Sequence, residues 1–138
     1  MTYLLDTNAC IALVNGSPPL PRPRLEHAIK HGDSVAVPVV AAFELWYGAA
    51  KSARRQVNLQ RLETFFAGPL ELVPFDEEDA RVAGEIRAAL EAAGTPIGAY
   101  DVLIAGQALR HDATLVTANA SELSRVAGLR WEDWVSST

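Results

Sequence analysis

The sequence predicts an α/β fold: a single domain over residues 1–138, with a central, mostly parallel sheet of four to five strands and helices on both faces. Three observations lead there. Short β-rich runs alternate with longer amphipathic or apolar segments of helical length. No convincing hairpin joins two successive strand candidates, so each strand returns through a crossover, which is right-handed and makes the sheet mostly parallel. The first strand also ends abruptly in a carboxylate, as expected where an open α/β sheet carries its site outside the carboxyl ends of its strands.

That first strand is Tyr3-Leu4-Leu5, and Asp6-Thr7-Asn8 follows it. Thr7 or Asn8 can cap the next helix, whose apolar run is Ala9, Ile11, Ala12, Leu13 and Val14 and whose stop is Asn15-Gly16. Asp6 has two readings here, a site carboxylate or simply a cap at the strand end. Residues 17–23, rich in proline, form a semi-rigid loop, and residues 24–30 a short helix ended by His31-Gly32-Asp33. Ser34-Val35-Ala36-Val37 is β-rich, and Pro38 suits the first position of the helix after it. That helix carries Val39, Val40, Ala41, Ala42, Phe43, Leu45 and Trp46, apolar nearly all round, with Glu44 in its middle.

Beyond Gly48, residues 51–67 form an amphipathic helix, with Leu59, Leu62, Phe65 and Phe66 on one face and Gly68-Pro69 as the stop. Residues 70–73 make a third short strand. Asp76-Glu77-Glu78-Asp79 opens the next helix, where four acids suit the helix dipole and Asp76 can cap. Val82, Ile86, Ala89 and Leu90 supply its buried stripe, and Gly94 and Pro96 end it. Residues 97–106 form a strongly apolar helix with Asp101 near its start. Residues 113–116 are a fourth strand running into a polar loop, 117–123, and Leu129-Arg130-Trp131 an edge strand.

Composition bounds the function. A lone Cys10, in an apolar run, excludes an internal disulfide and every multi-cysteine zinc pattern, and favours a reducing compartment. No apolar run approaches the roughly 20 residues that span a bilayer, and the start lacks a signal-like segment, so a cytoplasmic protein with no membrane association is expected. A net charge of -5 disfavours a general nucleic-acid coat protein. It does not exclude a metal-dependent nuclease, whose bound cations reverse the local field.

Of the 17 acidic residues, Asp6, Glu44 and Asp101 each interrupt apolar sequence rather than decorating a polar face. Folding can bring them together. Converging carboxylates repel unless neutralised, and hard oxygen ligands select Mg²⁺ or Mn²⁺ over zinc. Such a site suits phosphodiester hydrolysis. His27, His31 and His111 lie at polar helix ends, with no serine or cysteine constellation to serve as bases. Lys51, Arg54, Arg55 and Arg61 offer a phosphate-tracking surface, Arg22 and Arg24 a second, and a solvated helix face is the plain alternative. Trp46 and Tyr47 suit core or subunit packing more than base stacking.

Four segments together resemble PIN domains, and most closely the VapC-type toxin ribonucleases: Leu4-Leu5-Asp6-Thr7-Asn8; the helix from Pro38 through Glu44 to Gly48; Gly94 through Gly98 and Asp101 to Ala105; and Leu115-Val116-Thr117 with Asn119 and a closing Trp131 to Trp134. The resemblance implies a metal-dependent endoribonuclease using Mg²⁺ or Mn²⁺, with Asp6, Glu44 and Asp101 as metal ligands. It casts Asn8 as the residue that orients Asp6 or the water on the metal, and Thr117 as part of the pocket lining. It leaves the fourth acidic position between Glu122, also readable as an ordinary helix residue, and Asn119 as a neutral ligand or substrate contact. It further implies water attack leaving 5′-phosphate and 3′-hydroxyl ends, on RNA such as structured tRNA or rRNA. A homodimer is implied too, as is a VapB-type antitoxin that wraps the toxin in a larger hetero-oligomer and blocks the pocket, often with an arginine. Two alternatives stand beside it: a catalytically weak PIN-like domain that binds RNA or protein, and a haloacid-dehalogenase-like phosphatase, disfavoured because Asn8 stands where that chemistry wants a second aspartate.

Overall fold

Leu4 and Leu5, 1% and 0% exposed, sit at the centre of the sheet around which the chain is wound. The computed structural model describes residues 1–16 and 21–134. The first strand, β1 (Thr2–Leu5), pairs in parallel with β2 (Ser34–Pro38) on one side and with β4 (Thr114–Val116) on the other. β3 (Glu71–Val73) extends the sheet beyond β2, and β5 (Arg130–Glu132) beyond β4. The order β3-β2-β1-β4-β5 is parallel throughout, which gives the expected sheet its upper count of five.

This order locates a site before any side chain is considered. From β1 the chain winds outward through β2 to β3, then returns to place β4 on the opposite side of β1. The order therefore reverses between β1 and β4, and at such a switch point the connections diverge and leave a crevice at the strands' carboxyl ends. Asp6 follows β1 and Thr117 follows β4, and the Asp6 N–H donates to Val116 O at 3.0 Å.

Helices cover the sheet: α1 (Thr7–Asn15), α2 (Pro21–Lys30), α3 (Val39–Lys51), α4 (Arg55–Phe66), α5 (Glu77–Ala92), α6 (Ala99–Arg110) and the single turn α7 (Ala120–Leu123). The core joins β1, β2 and β4 to Ala9, Cys10 and Leu13 of α1, Ala41 and Leu45 of α3, Leu62 of α4, and Ile104, Ala105 and Ala108 of α6. Cys10 is buried there. α5 and α6 cross so closely that a Cβ on Gly106 would lie 2.7 Å from Ala83 Cβ and 2.9 Å from its backbone, which is why glycine stands at that position.

Several boundaries differ from the sequence expectation, each for a physical reason. Pro38 ends β2, opposite Val73, instead of opening the helix; its extended backbone (φ -62°, ψ 141°) serves as the N-cap of α3. Pro21 and Pro23 belong to the first turn of α2, where their missing N–H groups cost nothing, so the loop expected at 17–23 is shorter; its residues 17–20 lie outside the described residues. α3 continues through Gly48 to Lys51 before the chain breaks and restarts as α4. The stripe of α5 is Ala83, Ile86 and Leu90, with Ala89 exposed. Residues 120–123, expected in a loop, close a helical turn. Asp76 caps α5 as expected, in a capping box with Asp79, but Asp79 is itself fully buried, facing His111 Nε2 at 3.5 Å and Arg110 at 3.9 Å. Buried Gln107 donates through Nε2 to Val73 O and Pro74 O, at 2.9 and 3.0 Å, and so ties α6 to the end of β3.

Candidate active site

Asp6 is delivered by the end of β1 and held by the start of α1. Its Oδ1 accepts the Ala9 N–H at 2.8 Å, so Asp6, rather than Thr7 or Asn8, is the N-cap of the helix. Of the two readings left open by the sequence the cap is therefore observed, in a side chain only 4% exposed. The Thr117 hydroxyl, at the end of β4, also hydrogen-bonds the Asp6 carboxylate. Burial outweighs these two donors, and the charges of Asp101 and Glu44 add to it, so the Asp6 carboxyl is pushed up to about 6.

Glu44 reaches the same neighbourhood from the middle of α3. The Thr7 hydroxyl donates to its Oε1 at 2.6 Å, a charge-assisted bond that supplies the partner a half-buried carboxylate needs. Asp101 enters from the first turn of α6, where the helix dipole favours its charge. Burial raises its pKa all the same, a hydrogen bond from Asn119 opposes the rise, and Glu122 and Glu44 reinforce it.

Asn119 acts as a bridge. Its Nδ2 donates to Glu122 Oε2 at 2.7 Å and to Asp101 Oδ2 at 3.3 Å, while its backbone N–H donates to Thr117 Oγ1 at 2.9 Å. Two carboxylate acceptors require the amide nitrogen on that side, which fixes the orientation of the group. Glu122, half-buried on α7, also accepts the Gly98 N–H at 3.3 Å at the start of α6. Asn119 thus spends its donors on a pair of like charges and softens their repulsion.

The structure gathers Asp6, Glu44, Asp101, Thr117, Asn119 and Glu122 around the crevice between β1 and β4. It leaves Asn8 apart. Asn8 is exposed, and the contacts that orient Asp6 come from Thr117 and the Ala9 N–H instead. Thr7 is the functional candidate that sequence reasoning passed over, having read it only as a possible cap. Its position next to Asp6 was the one available signal, and its partner lies on another helix.

No three acidic, histidine or thiolate side chains among the described residues stand close enough to clasp a metal ion as they are. The donor set nonetheless fits a hard dication. It consists of carboxylate oxygens, it is held by hydrogen bonds without an intervening guanidinium or ammonium, and its mutual repulsion is visible in the raised Asp6 and Asp101.

Comparison with known proteins gives this geometry a context. The PIN domain family matches residues 3–129. Ribonuclease VapC2 of Rickettsia felis is 37% identical over 134 residues, covering 97% of this chain and 98% of that protein. The tRNA(fMet)-specific endonuclease VapC of Salmonella typhimurium is likewise 37% identical over 134 residues, with the same coverage of both chains. The crystal structure of VapBC2 from Rickettsia felis bound to a DNA fragment from their promoter contains a chain with a TM-score of 0.91 and 36% identity, covering 97% of this chain and 99% of that one. With a single domain matched almost end to end, a five-stranded parallel sheet and carboxylates converging at its switch point, the chain belongs to the PIN domain family, among its VapC-type ribonucleases.

Proposed function

We propose that this chain is an endoribonuclease toxin of a toxin-antitoxin pair, hydrolysing phosphodiester bonds in RNA at the crevice between β1 and β4. The observation that carries the reading is the convergence of Asp6, Glu44 and Asp101, from β1, α3 and α6, at a buried switch point where Asp101 and Glu44 raise the cost of ionising Asp6 and Glu44 that of ionising Asp101. Three mutually repelling carboxylates are retained there although none contributes to an apolar core, which is the pattern of a functional site. Structured tRNA is the favoured substrate class, because a relative at 37% identity is a tRNA(fMet)-specific endonuclease. A VapB-type antitoxin is the expected protein partner, given the similarity to a VapBC2 chain, and the resemblance to VapC-type toxins adds a homodimer to the proposal. No helix among the described residues is long and apolar enough to cross a membrane.

Asp6, Glu44 and Asp101, with Glu122 at the rim, would hold Mg²⁺ or Mn²⁺. Such a dication supplies a water of lowered pKa and charge compensation for the phosphate. The protein's own part is positioning. Thr117 and the Ala9 N–H aim Asp6, Thr7 aims Glu44, and Asn119 holds Asp101 and Glu122 together. The buried floor of β1 and β4 excludes bulk water beneath them and strengthens every charge interaction above. Burial and the neighbouring carboxylates push the Asp6 carboxyl up to about 6, a cost of ionisation that a dication held there would relieve. No histidine is needed in this scheme.

The test is cleavage of a pooled tRNA and ribosomal RNA preparation by antitoxin-free protein in Mg²⁺ or Mn²⁺, with EDTA and Asp6→Asn controls. Discrete cuts that need both the metal and Asp6, leaving 5′-phosphate and 3′-hydroxyl ends, support the proposal. Cuts that survive Asp6→Asn refute the site. Folded protein that binds RNA without cutting it would instead support a binding-only PIN domain.

A further inference from the structure

Of the basic residues available for RNA, several are already committed. Arg22 donates to Leu13 O at 3.1 Å, Arg24 pairs with Glu132 at 3.2 Å, and Arg55 donates to Ala50 O at 2.8 Å. Lys51 Nζ stands 4.6 Å from the centroid of the Tyr47 ring. Arg54 and Arg61 are both exposed and make no side-chain hydrogen bond or ion pair among the described residues, and of the two only Arg61 borders a cavity. That cavity, of about 270 Å³ between α1, α3 and α4, is lined by Glu44 as well. One carboxylate of the candidate active site therefore faces a hollow that ends in a free guanidinium.

The hollow has the composition of a site for a flat, partly polar group. Leu45 and Leu62 supply apolar wall, while Asn15 and Asn58 supply amides. Asn58 spends its Nδ2 on Ser52 Oγ at 2.9 Å, which leaves its carbonyl oxygen as an open acceptor. We infer that this cavity is the subsite for the nucleotide beside the scissile bond, with Arg61 holding that nucleotide's phosphate and the amide-edged hollow receiving its base. The inference rests on the nuclease reading above and adds a residue and a subsite to it. Electrostatics favours a nucleotide as the occupant. A chain of net charge -5 whose site is acidic has to supply local cations for the phosphates flanking the reacting one, and a planar guanidinium grips phosphate through two parallel hydrogen bonds. Apolar wall with a few fixed polar groups is the usual lining of a small-ligand pocket. The hollow continues, through Val14 and Arg61, into a larger groove of about 580 Å³ against α2, so a protein segment is the competing occupant.

The experiment measures binding of a tRNA(fMet) transcript to the full chain carrying Asp6→Asn, without divalent ions, alongside cleavage by the chain with Asp6 intact. Two variants probe the hollow from opposite walls. Arg61→Gln removes the cation. Gly48→Leu fills the hollow from α3, where an added Cβ meets nothing within 4 Å. Thermal unfolding verifies that each folds. Arg61→Gln should weaken binding about 10-fold and reduce the salt slope of log K by about one, the signature of one lost phosphate contact. Arg61→Lys should restore the slope but not the full affinity. Gly48→Leu should weaken binding with the slope unchanged. Unchanged affinity and slope in all three variants overturns the subsite while metal-dependent cleavage still stands. RNA affinity unchanged with loss of VapB-type antitoxin binding overturns it in favour of a protein segment. No RNA binding at all overturns it outright. Arg61-dependent binding without cleavage supports a nucleotide site in the hollow and overturns its place beside a scissile bond together with the nuclease reading.

Discussion

The Thr7 hydroxyl donates to Glu44 Oε1 at 2.6 Å, joining the first residue of α1 to the middle of α3 across 37 positions of sequence. The residue immediately after Asp6 thus fixes the second carboxylate of the pocket, and one turn of chain sets the geometry of two acids. Thr7→Val keeps the shape and removes the donor. A half-buried carboxylate left without its partner should cost about 1–3 kcal/mol in urea unfolding. RNA cleavage should fall about 10- to 100-fold through misplacement of Glu44. Thr7→Ser should recover most of both losses. Equal activity in the Val variant would show that Glu44 needs no such support.

Asp6 gives a signed pH dependence. Its folded carboxyl lies at about 6 against 3.8 for the ordinary group, so between those values the folded chain holds a proton that the unfolded chain has lost. The Asp6 contribution to stability is therefore fullest below about pH 4, is lost as pH rises through 6, and levels off above, by up to about 3 kcal/mol. Asp6→Asn retains a good N-cap and removes the charge. Denaturant midpoints measured from pH 4 to pH 8 should then lose the Asp6 component of the slope and lie above wild type at pH 8. Mg²⁺ should raise the wild-type midpoint at pH 8 and leave that of Asp6→Asn nearly unmoved. A variant less stable than wild type at pH 8 would contradict the burial argument.

Asn119 holds Asp101 and Glu122 through one amide nitrogen. Its bond to Asp101 favours the ionised carboxylate, against burial and two neighbouring charges. Asn119→Ala removes that support, so Asp101 should become harder to ionise. The acid limb of the pH profile of kcat/KM should move to higher pH, with the alkaline limb unchanged. A uniform loss at every pH would instead mark Asn119 as a substrate contact.

Gly106 is where α5 and α6 touch. A Cβ there would sit 2.7 Å from Ala83 Cβ and 2.9 Å from its backbone, so the helices must part to admit it. Gly106→Ala should destabilise by about 1–3 kcal/mol despite the better helix propensity of alanine. The urea midpoint measures this. Because α6 also carries Asp101, cleavage should suffer as well, and pairing the variant with Ala83→Gly should recover part of the stability.

Much of this protein is determined by local sequence. Tyr3-Leu4-Leu5 followed by Asp6 reads as a buried strand ending at a site, and Asp76 to Asp79 as a capped helix start. Glu44 and Asp101 stand out because a carboxylate within apolar sequence needs a reason. The parallel sheet follows from alternating elements and the handedness of crossovers, which are short-range rules. Tertiary structure decided what those rules do not reach. That Asp6 caps α1 while Thr7 serves Glu44, that Asn119 bridges Asp101 and Glu122 while Asn8 stays exposed, and that Arg61 rather than Lys51, Arg54 or Arg55 lines the hollow beside Glu44 all depend on where side chains from separate elements meet. Helical and strand periodicity says which face of an element turns inward. It carries no information about which residue, tens of positions away, will be waiting there.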